Sequence, residues 1–251
     1  MTTMMQPAKR TFVMLLLVLM VAAAVNVYLP QGDFLPPGSD LNLPAPKGVI
    51  ALVTALAVMV VYGLSGFTGI RLGDRMGFPA LIDPAVSSRH RFLTPAIWGM
   101  VIGLFFIAMD QVFKGLNGFG PLPHPPFPTS VVASLSAGIG EEIIFRLFFI
   151  PFWMWLILLL TRNRGRDLVF WTVTLFSALV FSAAHLPSLL MIMGLNSVSA
   201  VPPMLLLEVL LLNGVLSIVA AMFYWRYGIL AAMGLHFWTD IVWHALYGAL
   251  S

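Results

Sequence analysis

The sequence predicts an all-α fold, a polytopic bundle of about seven transmembrane helices, and three observations carry that reading. The 251-residue chain is 60% hydrophobic and only 9% charged, against roughly 25% charged residues in an ordinary soluble domain, and its mean hydropathy is +0.96. Seven stretches each hold the ~20 mainly apolar residues needed to cross a bilayer. These runs are continuous and lack the alternation of barrel strands. Each therefore reads as helix, which satisfies its backbone donors and acceptors internally, as hydrocarbon demands. Spans and short connections use nearly the whole length, so one integral membrane domain, 1–251, is expected, with no separate soluble domain.

The first span, 11–30, follows Lys9 and Arg10 and runs through FVMLLLVLMV into AAA. The same features describe a signal peptide, whose removal would leave six spans. Retention is favoured because the apolar stretch continues past the alanines toward Tyr28. The second and third spans are 49–70 and 95–115. The fourth, 129–160, is too long for one upright helix. Its 32 residues would reach about 48 Å against a hydrocarbon core of about 30 Å, so it must tilt, protrude or break. Pro151 is the expected place, because proline removes a backbone donor and clashes with the preceding turn. The fifth, sixth and seventh spans are 168–193, 204–225 and 228–250.

Basic residues orient the bundle. Lys9 and Arg10 precede span one; Arg71, Arg75, Arg89 and Arg91 follow span two; Arg162, Arg164 and Arg166 follow span four; Arg226 sits between spans six and seven. With seven spans all of these fall on one side, and the opposite loops hold only Lys47 and Lys114. The positive-inside rule then places the amino terminus in the cytoplasm and the carboxyl terminus outside. PQGDFLPPGSDLNLPAPKG and GLNGFGPLPHPPFP become Pro/Gly-rich outer loops. The net charge of +3 comes from the basic loops and gives no sign of a nucleic-acid partner. Cysteine is absent, which excludes disulfides, thiolate chemistry and sulfur-ligated zinc.

Polar groups within the spans point to chemistry, because an ionised carboxylate near the bilayer centre costs roughly 2.5 to 3.5 kcal/mol on insertion scales. In GIGEEIIFRLFF, Glu142 and Arg146 are four apart and share a helix face, acid before base. Glu141 lies about 100° around the helix and is left to face elsewhere. Spacing alone leaves a purely structural ion cluster open for these three. His185 falls in FSAAHLP near a helix end, where a lone histidine is more often a core residue. His236 and Asp240 are four apart in GLHFWTDIVWH, so the carboxylate can orient the imidazole. His244 extends that face toward the outer interface.

Helical rise places Glu141, His185, His236 and Asp240 within roughly 10 Å of one another in depth. A carboxylate and imidazoles in one layer can activate a water, directly or on a metal, and stabilise the oxyanion formed on a carbonyl. Weaker candidates are an outer-end Asp110–Lys114 pair, a solitary Glu208, and Asn213 with Gly214 as a close helix contact.

GEEIIFR resembles the EExxxR motif, FSAAH the FxxxH motif and HFWTD the HxxxN/D motif of the CPBP intramembrane proteases. That family comprises type II CAAX prenyl endopeptidases and bacteriocin-processing or immunity proteins. The stretch NGVLSIVAAMFYWRYGILAAMGLHF is also similar to bacterial members, and the likeness covers about 129–245 as a catalytic core. The resemblance implies that Glu141 activates water with His185, that His236 and Asp240 stabilise the transition state, and that Glu142 and Arg146 support them. Leu147 stands where many relatives have glycine. Asp240 replaces an amide, so a role in orienting His236 is expected. The family is often called a metalloprotease family, and two histidines with a glutamate would satisfy a divalent metal such as zinc. No HExxH pair is present, and metal-independent catalysis is slightly favoured.

The leading expectation is thus an intramembrane endopeptidase acting on a membrane-associated peptide or protein, CAAX-type or bacteriocin-like. Its setting would be the lipid bilayer of a bacterial plasma (inner) membrane. Two other classes stay open: a non-proteolytic binding, immunity or scaffold protein of the same fold, and a proton- or cation-coupled transporter. The absence of recognisable inverted halves argues against the last.

Overall fold

The computed structural model describes residues 2–32 and 45–250. Most of the first Pro/Gly-rich loop, residues 33–44, lies outside them. The described residues contain seven helices long and apolar enough to cross a membrane: Ala8–Asn26, Lys47–Arg75, Arg89–Phe113, Thr129–Leu160, Arg166–Ile192, Pro203–Tyr227 and Ile229–Tyr247. The helical elements are α1 (Thr2–Asn26), α2 (Lys47–Arg75), α3 (Thr94–Phe113), α4 (Thr129–Glu142), α5 (Ile150–Leu160), α6 (Arg166–Ala184), α7 (Leu186–Ile192), α8 (Pro203–Tyr227) and α9 (Ile229–Asp240). α9 is the central element and packs against α3, α4 and α8, while α1 closes on α2 and α4. Phe12 of α1 is fully buried and meets Phe67 of α2 edge-on at 4.9 Å.

The long fourth span neither ends nor restarts at Pro151. It runs from α4 into a π-helical segment, Ile143–Phe149, and then into α5, where Pro151 occupies the first turn. Proline has no amide to give to a carbonyl four residues back. The wider turn absorbs this, with the Ile150 amide donating to Phe145 five residues back. Two more π-helical segments are present among the described residues: Arg89–Leu93, which leads into α3, and Ile241–Tyr247, which follows α9. Such segments are frequent at functional sites, and two of the three begin directly after Glu142 and directly after Asp240.

The fifth span is divided where the sequence suggests one helix. α6 stops at Ala184 and α7 starts at Leu186, with Pro187 in its first turn. His185 is the joint.

Close helix approach rests on glycines. A Cβ on Gly99 would lie 2.4 Å from the Leu235 carbonyl oxygen, and one on Gly103 would lie 2.9 Å from that of Thr239. This Gly-x-x-x-Gly stripe lets α3 meet α9 backbone to backbone. The Thr239 hydroxyl donates to the Gly99 carbonyl at 3.1 Å across the same contact. Gly69 of α2 likewise accepts the backbone of Leu147. The bulk at Leu147 is accommodated by the absent side chain opposite it.

The loops after spans two, four and six gather at one end of the bundle. Arg166 donates to the Met76 carbonyl and lies over the Trp225 ring, and Gly228 abuts Pro79 and Ala80. At the other end Thr129 donates to the Pro30 carbonyl, and loop 114–128 packs on the end of the seventh span. The clusters Arg71/Arg75, Arg162/Arg164/Arg166 and Arg226 thus share the first end.

Candidate active site

Four sequence-selected residues meet at one cavity of about 270 Å³, lined by Glu141 of α4, His185 at the α6–α7 joint, and His236 and Asp240 of α9. Glu141 Oε2 lies 3.9 Å from His185 Nε2 and 3.8 Å from His236 Nε2. These separations exceed a direct hydrogen bond, and Glu141 Oε2 is buried without a hydrogen-bond partner. The side chains of Glu141 and His185 are 32% and 34% exposed, whereas Glu142 and Arg146 are fully buried.

The break at His185 sets its chemistry. Its backbone amide bonds to Ser182, three residues back, instead of to Phe181, four back. The freed Phe181 carbonyl takes a bond from the imidazole Nδ1 at 2.8 Å. A carbonyl can only accept, so a hydrogen is on Nδ1, and Nε2 is the nitrogen turned toward Glu141.

His236 is fixed differently from the sequence expectation. Its Nδ1 donates to Glu142 Oε1 at 2.8 Å, while Asp240 Oδ2 sits 3.5 Å from Nε2, at the edge of hydrogen-bond range. Glu142 therefore makes the shorter bond, to Nδ1, while Asp240, the i, i+4 neighbour, stands beside Nε2. Glu142 Oε1 also lies 3.1 Å from Arg146 Nη1. The guanidinium in turn lies over the Phe181 ring at 4.5 Å from its centroid. Phe181 is fully buried, and its ring centre is also 4.9 Å from that of His185 and 6.0 Å from that of His236. The aromatic residue of FSAAH is thus the partition on which Arg146 and both imidazoles rest.

Several peripheral readings change. His244 lines the cavity and pairs with His124 across 3.1 Å between their Nδ1 atoms, where the sequence suggested an interfacial residue. His124 stands in GPLPHPP, with no helical periodicity to place it. Asp110 is fully buried and accepts from the Leu122 amide at 2.9 Å and the Tyr247 hydroxyl at 2.7 Å, while Lys114 donates to Gln111. The sequence had Asp110 paired with Lys114. Glu208 is not solitary, because Asn117 donates to its Oε2 at 2.9 Å. Together these carboxylates pin loop 114–128, whose Leu122 and Pro123 line the cavity. Asn213 lines the cavity and donates to Val209, but Gly214 has only Ser182 Oγ, at 3.9 Å, near where a Cβ would stand, so it makes no tight helix contact.

The described residues contain no group of three or more His, Cys, Asp or Glu arranged to hold a metal ion. His185 and His236 each bond through Nδ1, to Phe181 and to Glu142, and each turns Nε2 toward Glu141.

Residues 123–242 match the family model described as type II CAAX prenyl endopeptidase Rce1-like. They form a CPBP-family domain. The matched stretch contains Glu141, Glu142, Arg146, His185, His236 and Asp240, and stops before His244. No curated protein matched the chain, and no solved structure did. By its description the family is one of endopeptidases, and the CPBP domain here is embedded in apolar spans.

Proposed function

We propose that the protein is an intramembrane endopeptidase that hydrolyses a peptide bond of a membrane-associated substrate with a water activated by Glu141 and His185. The observation that carries this is the 3.9 Å separation of Glu141 Oε2, buried without a hydrogen-bond partner, from His185 Nε2, in two residues that line one cavity. Both atoms are acceptors, the carboxylate by charge and Nε2 by its tautomer. A water held between them offers one hydrogen to each and keeps lone pairs free for attack. As its oxygen bonds to the carbonyl carbon, the proton passes to this pair and is available for the departing amine. His236, with Nδ1–H committed to Glu142, turns Nε2 to the cavity, where a hydrogen on that atom stabilises the oxyanion. Asp240 beside Nε2 holds the charge of that ring, and Arg146 balances Glu142.

No step requires a metal in this account. The domain reading of one membrane unit, with 129–245 as its catalytic core, belongs to the same proposal. So does an amino terminus in the cytoplasm, supported by the basic residues gathered at one end.

The experiment is cleavage of a peptide library by the detergent-purified protein, with Glu141→Gln as control and products identified by mass spectrometry. Specific cleavage by the wild type alone supports the proposal. Tight peptide binding without cleavage by either would replace it with a binding or immunity role.

A further inference from the structure

The cavity has a third histidine that the proposed reaction does not use. His244 stands one turn beyond Asp240 and two beyond His236, on the same wall. Its Nδ1 lies 3.1 Å from that of His124, whose ring is held edge-on by Trp243 at 4.6 Å and by Tyr247 at 5.3 Å. Loop 114–128, which delivers His124, is itself anchored through the Leu122 amide on Asp110 and through Asn117 on Glu208.

Two imidazole nitrogens at this distance form a hydrogen bond in which one donates and the other accepts. Burial, and secondly the neighbouring His244, pushes His124 down to about 3. Its ring is therefore neutral near pH 7 and carries a single N–H. His124 Nε2 is buried without a partner. A hydrogen there would be a buried donor with no acceptor, and among backbone groups such orphan donors are rarer than under-satisfied acceptors. The hydrogen accordingly sits on Nδ1 of His124 and is donated to Nδ1 of His244. His244 then carries its own hydrogen on Nε2, at the ring edge left to the cavity.

We propose that His244, held in this tautomer by His124, is a substrate-anchoring site whose Nε2–H binds a main-chain carbonyl oxygen of the peptide, away from the scissile bond. The inference rests on the endopeptidase reading. Eight residues separate His244 from His236, a rise of at most about 12 Å, since the second half is the wider π-helical segment. At ~3.3 Å per residue of extended peptide, the anchored carbonyl lies about three or four residues from the bond that is cut. The groups facing His244 are Asp240, His185 and His236 along with His124. Asp240 one turn away disfavours a substrate carboxylate at this position and leaves the neutral carbonyl as the ligand.

The test uses a peptide cleaved by the wild type and the same peptide truncated to two residues on either side of the cleaved bond. His244→Phe keeps the ring and removes the donor, and should raise KM about tenfold on the long peptide with kcat within about twofold. His244→Gln restores an N–H at the Nε2 position and should recover most of that loss. On the truncated peptide all three proteins should perform alike. An unchanged KM for His244→Phe, a loss in kcat alone, or an equal loss on the truncated peptide overturns the anchor while leaving endopeptidase activity standing. Nitrogen NMR of 15N-histidine-labelled protein checks the tautomer without any substrate: the His244 hydrogen should be on Nε2 and should lose that preference in His124→Phe. A hydrogen found on Nδ1 of His244 refutes the inference whatever the activity. Absence of cleavage by the wild type, by contrast, overturns the endopeptidase reading and the anchor together.

Discussion

Replacing Glu142 by glutamine tests whether the two adjacent glutamates do different work. Glu142 is fully buried, with Oε1 3.1 Å from Arg146 Nη1 and 2.8 Å from His236 Nδ1. The substitution keeps an oxygen for His236 but removes the counter-charge of a guanidinium that is itself fully buried and otherwise rests on the face of Phe181. Breaking one partner of a buried pair costs about 3 to 5 kcal/mol, because the remaining charge stays desolvated. The cation–π contact recovers about 0.5 to 2 kcal/mol of a charge's environment and is present before and after, so it does not offset the loss. Unfolding in a mixed-micelle denaturant titration should therefore show Glu142→Gln destabilised by about 3 kcal/mol or more. Glu141→Gln, partly exposed in the cavity, should stay within about 1 kcal/mol, as substitutions away from buried networks usually do. Arg146→Met should resemble Glu142→Gln, and the double variant should lose less than the sum of the two, since it leaves no orphaned charge. Strict additivity, or a Glu142→Gln protein as stable as Glu141→Gln, refutes the assignment of Glu142 to the ion pair.

Three further outcomes are expected. Gly99→Ala should lower stability in detergent by about 1 to 3 kcal/mol and reduce cleavage as well, because its Cβ would press on the Leu235 carbonyl of the helix that carries His236 and Asp240; a variant with wild-type melting excludes backbone contact there. His124 is held neutral in the folded protein down to about 3, whereas a free imidazole protonates near ~6.5. In that window the unfolded chain binds the extra proton, so stability falls as pH drops from about 6.5 toward 3. His124→Gln should show a shallower loss of melting temperature between pH 7 and 4, and an unchanged slope contradicts the burial of His124. Prolonged dialysis against chelators should leave cleavage within about twofold, and recovery of a lost activity by zinc alone would show that the donor set holds a metal after all.

The seven-helix fold was legible because each span is a long apolar run that hydrocarbon forces to be helical. The departures from simple runs follow from prolines that sequence rules locate but do not resolve. Pro151 was expected to break a helix, and the chain instead widened the preceding turn from Ile143 to Phe149. Pro187 was visible too, but not the joint it creates at His185, nor that the freed Phe181 carbonyl would then fix the imidazole tautomer.

Within the site, helical spacing put Glu142 on the face of Arg146 because both lie on one helix. Contacts between helices carry no such period. The bond from His236 to Glu142 joins residues 94 apart, so the i, i+4 neighbour Asp240 was the partner the sequence offered. His124 and the anchoring of its loop by Asp110 and Glu208 were out of reach for the same reason. The Gly99-x-x-x-Gly103 stripe is a contact motif in the sequence, but only the packing of α3 on α9 identifies its partner.

The most direct test of the account is the single-turnover rate of peptide cleavage in proteoliposomes by wild type and by Glu141→Gln, each saturated with the same substrate. Glutamine keeps the shape at the cavity wall but cannot take a proton from water, so the rate constant should fall about a hundredfold or more with peptide binding retained. A Glu141→Gln protein that binds and cleaves at near the wild-type rate would contradict water activation by Glu141.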